Sequence, residues 1–200
     1  MTQPQTMEES PRNGDWILTY SGKAFYPTDP READICIQDI AHALSMECRY
    51  GGHSRFHYSV AQHSVLLHDY CKDVLQWGRE ACFYALMHDA SEAYCKDIPR
   101  PLKAFMPDYR AIEALVDATI VRKFMILSAL DPQTQLQLKQ YDTRITLDEY
   151  AVMMKPGGQR WAIADLEPLG IKVSSWQPGT AKYMFLNRAR KYLTEAEMAE

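Results

Sequence analysis

His88-Asp89-Ala90-Ser91-Glu92, followed by Asp97, gathers one imidazole and three carboxyl groups in one short stretch. Apolar Phe83, Ala85, Leu86 and Met87 lead into it, so the spacing predicts an inward-packed helix from about Arg79 to Tyr94. Burying ionisable groups there is costly unless they are paired or bind a metal. On one continuous helix His88 and Glu92, four apart, share a face, and Asp89 lies about one turn before Glu92. An imidazole beside a carboxylate, backed by a second carboxylate able to hold a water, is what a catalytic metal site needs. The same text also fits a helix whose acids are solvated and whose histidine is a hydrogen-bonded core residue.

Metal ligands must converge, so other donors are needed from elsewhere in the chain. Five further histidines compete: His42, His53, His57, His63 and His68. His63 sits mid-helix with Val60 and Leu67 on its face, as a core imidazole or a ligand would. His68-Asp69 repeats the dipeptide without a Glu at the right offset, and reads as an exposed helix end. An acid in a late helix would complete the set. Leu138, Asp142, Ile145 and Glu149 stand at 0, +4, +7 and +11, which places Asp142 on an inward stripe. A buried ion pair of Asp142 with an arginine such as Arg144 or Arg122 is the alternative that periodicity leaves open. Asp148 and Glu149 read as solvated charges.

The elements that must position these groups are mostly helical. Residues 1–14 are polar, hold two prolines and show no periodicity, which predicts a flexible tail ahead of a single domain over 15–197. Two short β-prone runs, Trp16 to Tyr20 and Ala24 to Tyr26, flank Ser21-Gly22-Lys23 as a small hairpin. Helices are expected from about Ile35 (capped by Asp34) to Met46, Ser59 to Cys71, and Arg79 to Tyr94. Three more follow, from Asp108 to about Leu127, from Pro132 to Met154, and from Pro178 to about Ala196. Arg49-Tyr50-Gly51-Gly52-His53 breaks the pattern as a turn. The fold class is therefore all-α, a bundle of about six helices with a small N-terminal β-hairpin. A 46% apolar fraction supports a real core, and a net charge of −4 argues against a nucleic-acid polymer as partner. Five scattered cysteines and the lack of a long apolar run predict a cytoplasmic protein with reduced thiols and no membrane partner.

The order His63, His88-Asp89, Asp142 resembles the H…HD…D pattern of the HD-domain metal-dependent phosphohydrolases, a helical superfamily. The likeness is closest to bacterial deoxynucleoside 5′-monophosphatases and the related phage and prophage HD enzymes, including dATP triphosphohydrolases. It is carried by Arg49 with an aromatic after the first helix, Ala61-Gln62-His63-Ser64, His88-Asp89-Ala90-Ser91-Glu92-Ala93, and Asp97-Ile98-Pro99-Arg100-Pro101-Leu102-Lys103. With Asp142 it spans about Ile37 to Tyr150, and Leu18 to Tyr26 and Asp39-Ile40-Ala41-His42 also resemble phage members.

The resemblance implies that His63, His88, Asp89 and Asp142 bind one divalent ion: Mn, Co, Zn or Fe suits such a mixed N/O set, with Mg also admitted. It implies Glu92 as the group that orients or deprotonates the attacking water, and Asp97 as the acid–base carboxylate at the leaving oxygen. Arg49 would hold phosphate, Lys103 would add a second cation, and Tyr50 would press against the sugar and favour deoxyribose. The implied substrate is a deoxynucleotide. It is either a dNTP losing triphosphate or a dNMP losing phosphate, and a catalytically silent nucleotide-binding regulatory module is the alternative. Gly51-Gly52 departs from the dATP-selective members, which leaves base selectivity open. Glu92-Ala93 departs from the Glu-Asp pair of (p)ppGpp hydrolases. A homo-oligomer, dimer or hexamer, and a bacterial or phage-derived setting are likewise implied by resemblance.

Overall fold

The hairpin forms where the sequence alternates around a glycine turn. Ile17–Leu18 (β1) pairs antiparallel with Ala24–Phe25 (β2), Ile17 opposite Phe25 and Leu18 opposite Ala24. Gly22 at φ +86° supplies the left-handed residue that the turn requires. The amide and hydroxyl of Ser21 donate to the buried Asp39 carboxylate at 2.6 and 2.8 Å, which fastens the hairpin to the first helix. Phe25 is fully buried and stacks on Tyr94, their ring centroids 4.0 Å apart; burying such a ring stabilises the fold by about 1.5–3 kcal/mol. The computed structural model describes residues 11–12, 14–124, 131–157 and 159–199. Most of the expected tail therefore lies outside the described residues. Arg12, within it, is anchored: its guanidinium pairs with Asp34 at 2.6 Å and donates to the Asp29 carbonyl at 3.0 Å.

Six described helices have nine residues or more, matching the expected six. They are α1 (Ile37–Met46), α2 (Val60–Asp73), α3 (Arg79–Met87), α6 (Pro107–Lys123), α7 (Pro132–Met153) and α8 (Pro178–Ala189). Short helices α4 (Glu92–Cys95), α5 (Arg100–Lys103) and α9 (Glu195–Ala199) complete the described set. Ser59 caps α2 by accepting from the Gln62 amide at 3.1 Å, and Asp131 caps α7 by accepting from Thr134 at 3.0 Å. Pro at the first helical position starts α6, α7 and α8 without loss of a hydrogen bond.

Several expected boundaries shift. Asp34 ends a 3-10 turn and pairs with Arg12, so Cys36 rather than Asp34 precedes α1. Met106 precedes α6, and Asp108 sits in its first turn, where a carboxylate complements the helix dipole. The expected end of that helix near Leu127 lies outside the described residues. The last helix splits into α8 and α9 at 3-10 turns, where Lys191 and Tyr192 bond back to Arg188 and Ala189.

α2 is the central element and packs against α1, α3, α7 and α8. On one side Val60, Ala61 and Val65 join Ile40, Leu44, Leu86 and Phe185 in the main core. On the other, Leu67 and Cys71 meet Cys82, Leu138 and Ile145. His68-Asp69 is a buried anchor, contrary to the exposed end expected. His68 is fully buried and bonds Asp69 at 2.8 Å and the Tyr192 hydroxyl at 2.7 Å, and Arg188 of α8 pairs with Asp69 at 2.7 Å. The long segment after α7 is also fastened. The Asp148 carboxylate, expected to be solvated, accepts from the amides of Leu169, Gly170 and Ile171 at 2.8–3.1 Å. Arg144 donates to the Glu167 carbonyl at 2.7 Å, and the Gln62 side chain donates to the Ser174 carbonyl at 2.6 Å. None of the described helices is long and apolar enough to cross a membrane.

Candidate metal centre

Three separate pieces of chain deliver the ligand candidates: α2 carries His63, the break after α3 carries His88 and Asp89, and α7 carries Asp142. The expected continuous helix through Glu92 does not form. α3 stops at Met87, and the amides of Ala90, Glu92 and Ala93 bond to Met87, Asp89 and Ala90 at 2.9–3.2 Å, three residues back. Successive side chains on an unbroken α-helix point about 100° apart. The tightened turns let His88 and its neighbour Asp89 aim at one point.

His63 Nε2 lies 3.3 Å from His88 Nε2 and 3.2 Å from Asp142 Oδ1. Asp89 Oδ2 lies 3.2 Å from His88 Nε2 and 3.7 Å from His63 Nε2. Ligand atoms bound at about 2.0–2.2 Å to one ion stand about 3–3.5 Å from one another, so this spacing suits a single shared cation. His63, His88 and Asp142 form a cluster that can hold a metal ion.

The far nitrogens fix the chemistry of the near ones. His88 Nδ1 lies 2.8 Å from the Ala85 carbonyl and His63 Nδ1 lies 2.7 Å from Glu149 Oε1. Both partners only accept, so each Nδ1 carries a proton and Nε2 is the nitrogen left to bind an ion, which it does on giving up its own proton. Two imidazole nitrogens and the Asp142 carboxylate close around one point, with the Asp89 carboxylate beside His88, and such a set suits a positive charge between them. Burial alone would depress the histidine pKa values. Asp89 and Asp142 outweigh it at His88, which is held well above its ordinary value, and Glu149 and Asp142 raise His63. Against burial, His88 and His63 hold Asp89 down to about 2 and Asp142 well below the carboxylate range.

Arg49 and Tyr50 stand beside this cluster on a short 3-10 turn, Arg49–Gly52, in which Tyr50 takes φ +60°. The Arg49 guanidinium lies 3.4 Å from Asp89 Oδ2 and 3.6 Å from Glu149 Oε2. The Tyr50 hydroxyl donates to Glu149 in a short hydrogen bond. Both residues line a cleft of about 480 Å³ together with Asp97, Pro99, Arg100, Trp161 and Ile163. Arg100 donates to Asp142 Oδ2 at 2.8 Å, so two residues of the cleft wall, Arg49 and Arg100, touch carboxylates of the cluster. A second cleft of about 400 Å³, touching His88, Asp142, Gln135 and Lys139, adjoins the cluster further up α7.

The two expected acid–base carboxyls flank the site. Glu92 is buried, its Oε2 has no hydrogen-bond partner, and burial with Asp89 and Asp97 pushes its pKa up to about 10. Asp97 is also raised, chiefly by burial. Lys96 at φ +78° turns the chain into Asp97, and Glu47 locks that turn by accepting from the Lys96 ammonium at 2.8 Å and the Asp97 amide at 3.2 Å.

No protein-family model matches the sequence. The uncharacterized protein YfdR of Escherichia coli (strain K12) is 39% identical over 175 residues, covering 86% of this chain and 93% of the relative. The chain belongs to the YfdR family. The uncharacterized protein RCAP_rcc00048 of Rhodobacter capsulatus is 30% identical over 132 residues, covering 64% of this chain and 67% of the relative.

In this YfdR-family chain the structure brings His63, His88, Asp89 and Asp142 together, with Arg49, Tyr50, Glu92 and Asp97 around them. Lys103 is turned elsewhere: it pairs with Glu113, lies over the Tyr109 ring, and does not line the cleft. Asp142 pairs with Arg100, while Arg144 and Arg122, weighed as its partners, are occupied at Glu167 and Thr119. Two residues at the site were not read from the sequence. Glu149 is fully buried rather than solvated; its place seven residues after Asp142 on the inward stripe was the signal. Arg100 reaches Asp142 across 42 residues of chain, and no local pattern announces that contact.

Proposed function

We propose that this YfdR-family chain is a metal-dependent phosphohydrolase of HD type acting on deoxynucleotides. The observation that carries the reading is the convergence of two imidazole Nε2 atoms with the Asp142 and Asp89 carboxylates, joined through Arg49 and Arg100 to a neighbouring cleft. A cleft of about 480 Å³ is of ligand size. Its lining combines charged Arg49, Asp97 and Arg100 with apolar Pro99, Pro101, Trp161 and Ile163. That mixture suits a phosphoryl group together with a nucleobase. His63, His88, Asp89 and Asp142 would hold a divalent ion, which would supply positive charge for a phosphoryl oxygen and a more acidic water.

The remaining steps belong to the side chains. Arg49, buried and held by Asp89 and Glu149, offers a fixed guanidinium to phosphate. Arg100, two-thirds exposed, is free to exchange Asp142 for a phosphate oxygen. Glu92, whose carboxyl is held protonated by burial and by its acidic neighbours while the site is empty, would become the base for the attacking water once a bound cation had driven its proton off. Asp97, lining the cleft, serves the leaving oxygen. The Tyr50 ring, fixed through its hydroxyl, closes the space that a 2′-hydroxyl would need. Lys139 in the second cleft, one turn before Asp142, gives a longer phosphate chain a cation to follow along α7, which favours a dNTP over a dNMP.

The test is a screen of dNMPs, dNTPs and their ribonucleotide counterparts with Mn, Co, Mg and Zn, followed by phosphate assay and chromatography. Ion-dependent release from deoxynucleotides, lost in Asp89→Ala and weaker on ribonucleotides, supports the reading. No release with any ion, from protein shown to bind that ion, refutes it in favour of a silent nucleotide-binding module.

A further inference from the structure

Glu149 is a carboxylate where the fold calls for an apolar side chain. Its neighbours four residues before and after on α7, Ile145 and Met153, are fully buried, and so is Glu149. Burying a carboxylate is costly unless it is fully compensated, and an apolar residue of similar volume would serve the core at least as well. The compensation has a division of labour. Oε1 accepts from His63 Nδ1 at 2.7 Å and from the Tyr58 hydroxyl at 2.9 Å. Oε2 faces the Tyr50 hydroxyl and, at 3.6 Å, Arg49 Nε. One oxygen therefore serves the metal-ligand side and the other serves the turn that lines the cleft. That turn needs holding, because a tyrosine at φ +60° costs about 1–3 kcal/mol unless its surroundings impose the conformation.

We propose that Glu149 is a positioning residue for both halves of the site, fixing His63 as an Nε2 ligand through one oxygen and the Arg49–Tyr50 turn through the other. The inference rests on reading the His63–His88–Asp89–Asp142 cluster as a metal centre. It adds that a residue outside the ligand set controls metal affinity and substrate binding together.

The experiment measures Mn affinity by titration calorimetry on the full chain for wild type, Glu149→Gln and Tyr58→Phe. The His63 tautomer is read by long-range proton–nitrogen correlation in the ion-free protein, at a pH where the imidazole is neutral. Glu149→Gln is expected to lose on the order of 10–100-fold in Mn affinity, to raise KM for the nucleotide, and to shift His63 from the Nδ1–H tautomer. Tyr58→Phe removes a hydrogen bond from the same oxygen but leaves the His63 contact, so its Mn affinity is expected to stay within about threefold of wild type. A merely structural role for Glu149 would lower the melting temperature of both variants and move neither affinity nor tautomer. Mn binding in Glu149→Gln equal to wild type overturns the proposal. If Glu149→Gln does not fold, the wild-type tautomer decides: Nδ1–H on His63 supports the assignment and Nε2–H overturns it. A wild-type chain that takes up no ion overturns the metal-centre reading and this inference with it.

Discussion

Ion binding at the cluster ties together three pieces of chain, α2, the break after α3, and α7, and so should stabilise the fold strongly. The perturbation is Asp142→Asn, measured with and without Mn or Co. At a free ion concentration 100 times the Kd, binding to the folded state alone contributes about 2.7 kcal/mol. For a chain of 200 residues each kcal/mol moves the unfolding midpoint by about 2–4 °C. Wild type is therefore expected to gain about 5–11 °C on loading and to lose it again with EDTA. Asp142→Asn keeps the shape but removes the charge that faces both imidazoles. Without the ion it also loses the Arg100 pair, which is two-thirds exposed at the arginine and worth at most about 1 kcal/mol. Its ion-free midpoint should fall by more than the roughly 2–4 °C that this pair alone is worth, since the carboxylate also pairs with both imidazoles, whereas the ion-dependent gain should shrink below about 2 °C. Differential scanning calorimetry at fixed protein concentration reads both quantities. An ion-dependent gain in Asp142→Asn as large as in wild type would refute the reasoning.

Other consequences follow from particular contacts. Glu92 is raised from 4.5 to about 10 by burial, Asp89 and Asp97. An acid whose pKa rises on folding binds more protons folded than unfolded, so it weakens the fold as pH climbs through that window. Glu92→Gln is therefore expected to raise the midpoint of the ion-free protein at pH 8 by a few degrees, to lose that gain near pH 4, and to abolish turnover. An unchanged midpoint at pH 8 would contradict this. Arg100→Ala should raise KM for a phosphorylated substrate at least several-fold, while Lys103→Ala, whose ammonium is already paired with Glu113, should leave KM unchanged in steady-state assays. Asp69 is the opposite case to Glu92: His68 and Arg188 outweigh burial and lower it from 3.8 to about 2. Its stabilisation is present above pH 4 and lost as pH falls toward 2. Asp69→Asn should cost about 1 kcal/mol at pH 7 after allowance for its partial exposure, with the difference from wild type vanishing near pH 2 in a melting series.

Much of this site is legible in sequence because its donors sit on helical stripes. His63 between Val60 and Leu67, and Asp142 between Leu138 and Ile145, are polar residues on faces that must be buried, and periodicity exposes them. Glu149 lies on the same stripe, but periodicity reports burial without naming a partner, and its partner His63 is 86 residues away. The break at His88 escaped because Ala90, Ala93 and Tyr94 are ordinary helix residues. It is imposed by tertiary demand, with His88 and Asp89 aimed at one point. Asp148 reads as solvated for a related reason. It caps three amides of the segment after α7, and irregular chain has no period from which such a contact can be inferred. Lys103 shows the reverse: a resemblance carries a residue type to a position, while the local rotamer is decided by the nearest carboxylate, here Glu113.

The central claim is that one cation sits where His63, His88, Asp89 and Asp142 meet. The direct measurement is an anomalous difference map from crystals grown with Mn and collected at its absorption edge. One peak is expected, within about 2.0–2.3 Å of Nε2 of His63 and His88 and of one oxygen each from Asp89 and Asp142. An empty map at that point, in crystals whose solution protein is saturated with Mn, would contradict the account.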